Sequence, residues 1–291
     1  MKVGLIGFPV AHSLSGTMHN AAFKAVGLND WKYELWNTPI FELAARMKTV
    51  RESEDIAGCN VTIPHKQNVQ QYLDEISPHA QAIGAVNTIY KRESKLIGDN
   101  TDWIGFLADL GFYGVDVTRL DGGALILGAG GAARAIAYAL ILSGMRVTIV
   151  NRSPDRATQL VSDMRRLFPE HLDGDGIYYG RSVMYLAAQR SLIVNCTSAG
   201  MWPRDNENPW PEDSPLPGES VLYDLVYKPR VTQLMEQAKT AGLQVVGGIG
   251  MLAEQGAAAF EKWTGVNSAE VSMVMREAFW KCRMGVLCAM Q

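Results

Sequence analysis

The sequence predicts an α/β fold with mostly parallel sheets. Three observations carry that prediction. Short apolar runs alternate with helical patterns almost throughout, with no cluster of strands. A glycine-rich turn, Gly128-Ala129-Gly130-Gly131-Ala132-Ala133, lies between a strand pattern and a helix pattern. The chain has 291 residues and 47% hydrophobic content, enough for one large or two medium domains, each with its own core.

The elements follow in order. Lys2–Ile6 reads as a strand, Thr17–Val26 as a helix stopped by Gly27, and Trp31–Trp36 as a second strand. Phe41–Val50 is helical, and Ile56–Ile63 is a strand that Pro64 ends. In that strand Val61 and Ile63 share one face, and Asn60 and Thr62 share the other. Val69–Leu73 and Pro78–Ile83 look helical, while Ala85–Tyr90 and Lys95–Ile97 form a hairpin or a bent strand. Thr101–Leu110 is helical. Ala124–Leu127, the glycine turn, a helix over Ala132–Ser143 and a strand over Arg146–Val150 make one βαβ unit. Further strands are expected at Leu192–Asn195, Val221–Leu225 and Gln244–Val246. Five prolines make Trp202–Pro217 an irregular loop. Two helical patterns follow Met251, and a domain boundary is expected near residue 102.

Composition excludes several classes. The formal charge is −3 with no Lys/Arg block, a poor basis for general nucleic-acid binding. The cysteines, Cys59, Cys196, Cys282 and Cys288, form no CxxC pair, and the five histidines have no metal-site spacing. No metal is therefore expected, and the cysteines read as small buried hydrophobes. The N-terminal MKVGLIGFPV enters an apolar strand at once, and no apolar run approaches the roughly 18 residues of a membrane span. A reducing cytoplasm is the expected compartment.

The glycine turn fits a dinucleotide. Glycine permits the tight turn, and the helix N-terminus then offers free N–H groups to a pyrophosphate. An NAD site usually carries an acid about 20 residues on, which would hold a ribose hydroxyl. This chain has Asn151-Arg152-Ser153 there, with Arg156 beyond. Guanidinium groups fork onto a 2′-phosphate that an acid would repel, so NADP is expected over NAD. In the first half, Ser13 and Ser15 lie just before a helix, where hydroxyls suit a carboxylate or a cap. Asp102 begins a helix, where the dipole favours an anion. His12, His19 and His65 read as loop and capping residues.

The motifs HSLSGTMHN, NVTIPHK, GAVNT, NTDWIGF, GAGGAAR, NRSPDRA, NCTSAGM, DLVYKP and GIGMLAEQGAAAFEKWTG together resemble the shikimate dehydrogenase family, in order and over nearly the whole chain. The resemblance implies an N-terminal α/β substrate domain, residues 1–102, joined by helices from about 251–291 that return to it. It implies a Rossmann-type NADP domain over 103–250. It implies reversible NADPH-dependent reduction of 3-dehydroshikimate to shikimate, on the route to chorismate and the aromatic amino acids. Lys66 and Asp102 would be the catalytic pair. Ser13 and Ser15 would bind the substrate carboxylate, with Tyr227 reaching toward that end. Asn60, Thr62, Asn87 and Gln255 would hold ring hydroxyls or orient the ring. Gly128, Ala129, Gly130, Gly131 and Ala132 would hold the pyrophosphate, and Asn151, Arg152, Ser153 and Arg156 the 2′-phosphate. Thr197, Met201 and Gly248 would lie by the nicotinamide.

Two positions depart from the family pattern. Gly16 stands where proline is common, and Trp103 where a smaller residue is expected, either for packing or to shape the hinge between domains. A quinate or dual quinate/shikimate dehydrogenase is the nearest alternative, and a non-catalytic metabolite sensor a more distant one. The enzyme is expected to act as a monomer or homodimer, with no nucleic-acid or membrane partner.

Overall fold

A computed structural model describes residues 1–172, 177–178, 186–211 and 214–288, with backbone alone at 177–178 and 280–288. The chain divides into two compact units, Met1–Gly105 with Leu252–Gln291, and Phe106–Met251. Residues 212–213 of the proline-rich loop and the side chains of Cys282 and Cys288 lie outside the described residues.

The first unit is built on a six-stranded sheet. Its strands are β1 (Lys2–Gly7), β2 (Lys32–Asn37), β3 (Ile56–Val61), β4 (Glu75–Ile76), β5 (Thr88–Arg92) and β6 (Lys95–Asp99), in the order β2-β1-β3-β5-β6-β4. β1 pairs parallel with β2 and β3, while β3–β5 and β5–β6 are antiparallel. Thr88–Asp99 therefore forms a true hairpin, and the sheet is mixed rather than purely parallel. Glu93 and Ser94 at its turn take positive φ, 48° and 66°, the geometry of a tight two-residue hairpin loop. The helices are α1 (Ser15–Ala25), α2 (Leu43–Glu52), α3 (Pro78–Ile83) and α4 (Asp102–Phe112), the last running on into the second unit. The expected helix near Val69 is a 3₁₀ turn, Asn68–Tyr72. Ile6, Val61, Ile89 and Leu96 pack with Met47 and Val50 of α2 into one buried cluster.

The second unit carries a fully parallel six-stranded sheet, β12-β11-β10-β7-β8-β9. The strands are β7 (Ala124–Leu127), β8 (Val147–Asn151), β9 (Ile177–Tyr178), β10 (Leu192–Asn195), β11 (Val221–Asp224) and β12 (Gln244–Gly247). β7, β10 and β11 are buried along their whole length, as strands covered on both faces must be. α5 (Gly131–Leu142), α6 (Pro154–Leu167) and α7 (Gln233–Thr240) accompany them. α8 (Ile249–Thr264) and α9 (Ser268–Cys288) complete the described helices. In the first unit, Lys262 of α8 pairs with Asp99 at 2.7 Å, and Trp263 Nε1 donates to the Ile89 carbonyl at 2.9 Å. Both contacts tie α8 to the hairpin. No described helix is long and apolar enough to cross a membrane.

His19 corrects an expectation. It is neither a loop nor a cap residue but a fully buried residue of α1, stacked on Tyr33 with ring centroids 4.3 Å apart and tilted against Trp263. Neither ring nitrogen has a hydrogen-bond partner. Burial alone lowers its pKa to about 3, so the folded protein holds the imidazole neutral. The folded value lies below the ordinary one of about 6.5, so stability is intact above that pH and falls as acid is added. Below about pH 6.5 this residue should therefore remove stability with each further drop in pH. Urea denaturation across that range checks the slope, and His19→Phe should flatten it.

Gly16 is the second residue of α1, and no atom lies within 4 Å of where its Cβ would sit. Gly16→Ala should therefore stabilise the first unit by about 0.5–1 kcal/mol, by narrowing the unfolded ensemble. The denaturation midpoint measures it. Trp103 packs its ring against His79 of α3 at 4.8 Å, so packing accounts for it.

Candidate active site

The polar constellation of the first unit is assembled by sheet register. Asn60 on β3 sits opposite Thr88 on β5, and Thr88 sits opposite Asp99 on β6. The residues just beyond these strand ends, Asn87 and Asn100–Asp102, are thereby gathered at one place. Asp102 opens α4, where its charge meets the helix dipole, and the Asn100 side chain accepts from its backbone N–H at 3.0 Å. Lys66 lies in the turn after β3, its carbonyl held by the Val86 N–H at 2.7 Å.

Four side chains converge there. Lys66 Nζ donates to Asp102 Oδ2 at 2.5 Å, and Asn87 Nδ2 donates to Asp102 Oδ1 at 2.8 Å. Asn87 Nδ2 also lies 3.3 Å from Gln255 Oε1 on α8. The Lys66 and Asp102 side chains are only 15% and 7% exposed, so the pair is shielded without being sealed. Asn87 is 2% exposed and Gln255 8%. Such a pair offers an ammonium proton beside a fixed carboxylate, the equipment for moving a proton on and off a hydroxyl.

Ser13 and Ser15 also lie together. α1 begins at Ser15 rather than Thr17, so Ser15 is the first helical residue rather than one before the helix. The helical turn brings Ser13 Oγ to 3.0 Å from Ser15 Oγ, and Ser13 Oγ accepts from the Ser15 N–H. Leu14 at the cap position provides no side-chain cap. Thr62 is half-buried just after β3. β3 stops at Val61, so the alternation ends there and Ile63 is 65% exposed instead of packed inside.

Asn60 is held on both ends of its amide. Its Oδ1 accepts from Tyr33 OH at 2.8 Å, and its Nδ2 donates to the Asn87 carbonyl and to Thr88 Oγ1, both at 3.2 Å. Both ends of the amide are committed inside the fold, because the residue sits mid-sheet between β1 and β5. Asn60 therefore supports the site from behind. His65 is also structural: fully buried, its Nε2 lies 2.7 Å from the Thr38 carbonyl. Cys59 is buried, and burial pushes its thiol up to about 12, out of the nucleophilic range.

In the second unit, register aligns Leu127, Asn195, Asp224 and Gly247 at the carboxyl ends of their strands. Ligands of parallel α/β sheets bind outside those ends, where strand order reverses, here around β7. Gly128 follows β7 with φ +110°, and a Cβ there would meet the Cys196 carbonyl at 3.2 Å. Gly130 caps α5 without a side chain, leaving Ala129, Gly131 and Ala132 around an uncovered helix N-terminus. That cradle fits a pyrophosphate. Asn151 ends β8, its Nδ2 donating to the Ser153 carbonyl at 2.9 Å. Ser153 stands at the cap position of α6 but makes no capping bond. Arg152 and Arg156 are exposed and form no ion pair among the described residues, so both guanidinium groups are available to a phosphate. Thr197, Met201 and Tyr227 are half-buried in the loops after β10 and β11. Gly248 lies after β12, and a Cβ there would fall 2.2 Å from the Leu225 carbonyl. Only glycine admits that approach.

Comparison with known proteins decides the family. Residues 5–89 match a model of the shikimate dehydrogenase substrate binding domain. Residues 118–172 match shikimate / quinate 5-dehydrogenase, and residues 248–271 match the shikimate 5′-dehydrogenase C-terminal domain. The chain is 43% identical to the NADP(+) shikimate dehydrogenase of Symbiobacterium thermophilum, over 90% of this chain and 88% of that one. It is 43% identical to that of Moorella thermoacetica, over 95% and 92%.

This chain belongs to the shikimate dehydrogenase family.

Its architecture matches that of solved members. The Thermus thermophilus shikimate 5-dehydrogenase, crystallised with NADP(H) and shikimate, superposes with a TM-score of 0.82 at 38% identity, covering 96% of this chain and 99% of that one. In this chain, several residues to which the motifs attached no role organise the polar groups of each unit. Asn100, Thr101, Thr88 and Tyr33 are four of them. Asn195 and Asp224 are two more: Asn195 Oδ1 accepts from the Thr197 N–H and Oγ1, and its Nδ2 donates to Asp224 Oδ1 at 2.8 Å. Asp224 Oδ1 accepts from the Val226 N–H and its Oδ2 from Thr232 Oγ1. Burial raises the Asp224 carboxyl above its ordinary range despite those bonds. The pair thus fixes the Thr197 loop and the start of the Tyr227 loop together. The available signal was polar residues at the ends of two apolar strands. Among the described residues no cluster of His, Cys, Asp and Glu is arranged to hold a metal ion.

Proposed function

We infer that this protein catalyses the reversible NADP-dependent interconversion of shikimate and 3-dehydroshikimate. The observation that carries the reading is the convergence of Lys66 and Asn87 on the two oxygens of Asp102, beside Gln255. The family match over most of the chain supports the same reading.

The first unit acts as substrate-binding and catalytic domain. The Ser13–Ser15 hydroxyl pair and the uncapped start of α1 take the substrate carboxylate, and Tyr227 is a further substrate-binding residue. Thr62, Asn87, Asp102 and Gln255 receive ring hydroxyls. The second unit binds NADP through the cradle of Gly128 to Ala132, through Asn151, Arg152, Ser153 and Arg156, and through Thr197, Met201 and Gly248 beside the nicotinamide. NADP supplies the hydride acceptor, or as NADPH the donor. Lys66 Nζ takes the hydroxyl proton during oxidation and returns it to the alkoxide during reduction. Asp102 holds the amine and orients the ring through a hydroxyl. The protein works as a monomer or homodimer in the cytoplasm.

Initial rates of absorbance gain from reduced cofactor test the reading with four combinations, shikimate or quinate with NADP or NAD. Shikimate with NADP should be fastest. A quinate rate equal to the shikimate rate, or no turnover at all, contradicts it.

A further inference from the structure

The two amides behind Asp102 are each fixed in one orientation by a backbone group. Asn60 Nδ2 meets the Asn87 backbone carbonyl, which can only accept. That fixes the Asn60 amide, so Tyr33 OH must donate to Asn60 Oδ1. Asn87 Oδ1 faces the Thr101 backbone N–H at 2.7 Å, which can only donate. That fixes the second amide, so Asn87 Nδ2 must face Asp102. Between the two amides stands Thr88, fully buried. Its hydroxyl donates to Asn87 Oδ1 at 2.9 Å, the shorter contact beside Thr101 Oγ1 at 3.2 Å, and its oxygen accepts from Asn60 Nδ2 at 3.2 Å.

The result is one unbroken chain of donors: Tyr33 OH to Asn60, Asn60 to Thr88, Thr88 to Asn87, and Asn87 to Asp102 Oδ1. Each bond polarises the next in a low-dielectric interior, and all point at the carboxylate. Lys66 meets the other oxygen of the same group. Tyr33 is held in turn by its stack on His19. We propose that Tyr33, Asn60 and Thr88 are positioning residues for the dehydrogenase reaction: they fix the amide of Asn87, and through it the carboxylate that holds Lys66. The proposal rests on the function inferred above.

Thr88→Val tests it, since valine keeps the shape and removes every hydrogen bond of the hydroxyl. It should lower kcat for shikimate oxidation about tenfold, with the Kd for NADPH unchanged within twofold. Thr88→Ser, which keeps the hydroxyl, should restore kcat to within twofold. Tyr33→Phe should lower kcat in the same direction by about threefold. A merely structural role would instead lower Tm and leave kcat per NADPH-binding site unchanged, and that result overturns the proposal. If Thr88→Val does not fold, Tyr33→Phe decides: wild-type kcat overturns the proposal, and a lowered kcat with unchanged NADPH binding upholds it. Wild-type turnover of shikimate separates failure of this proposal from failure of the underlying reading.

Discussion

Lys66→Ala should reduce kcat for shikimate oxidation by about three orders of magnitude, at the upper end of what a positioned acid–base group contributes. The Lys66 amine is 2.5 Å from Asp102 and mostly shielded, and alanine offers no group that could carry its proton. KM for shikimate should change far less than kcat, because Ser13, Ser15 and Gln255 are untouched. NADPH affinity should stay within twofold, since its inferred ligands lie in the other compact unit. Steady-state kinetics and fluorescence titration of NADPH measure the two quantities. Near wild-type kcat in this variant would remove Lys66 from the proton transfer.

Asp102→Asn should damage both rate and stability. The substitution keeps the shape, yet it leaves Lys66 without its counter-ion in a site with little water. Breaking a buried pair from one side costs up to about 3–5 kcal/mol, and the partial exposure of Lys66 brings the expected loss below that range, to about 2–3 kcal/mol. The new amide can also place an N–H against Asn87 Nδ2 or Lys66, both of which are donors. kcat should fall by about a hundredfold or more. Chemical denaturation beside kinetics separates the two effects. Lys66→Met/Asp102→Asn should recover stability without recovering activity, because the uncompensated charge is gone while the chemistry remains absent.

The fold was legible where a local rule suffices. The strand, glycine turn and helix around Gly128 follow from residue type and spacing, and the alternation of apolar runs with helices announced two α/β sheets. Elements with weak local signals were missed. α7 is short, and β4 and β9 have two residues each, too few to show a period. The start of α1 moved to Ser15 because nothing local distinguishes a helical serine from a capping one. Ile63 was placed on one face with Val61 by extending an alternation that the chain abandons at Val61.

The site was legible in part, and for a physical reason. Lys66, Asn87, Asp102 and Gln255 carried motifs, and the resemblance attached roles to them. Asn60 carried a motif too, but only the register of β3 on β5 shows that its amide is spent on Tyr33, Asn87 and Thr88. Tyr33 looks like an ordinary strand aromatic, and Thr88 and Thr101 like turn residues. Their function depends on which atoms lie opposite them, which is a tertiary fact. His19 shows the same limit, since its spacing from other motifs said nothing of the aromatic box around it.

The central claim is that this protein moves a hydride between the shikimate ring and NADP, with Lys66 handling the proton. The most direct measurement uses shikimate carrying deuterium on the carbinol carbon that becomes the ketone. Incubation with NADP should yield NADPH bearing that deuterium, detected by mass spectrometry, in step with 3-dehydroshikimate. Reduced cofactor without the label, or binding of shikimate with no reduced cofactor at all, would contradict the account.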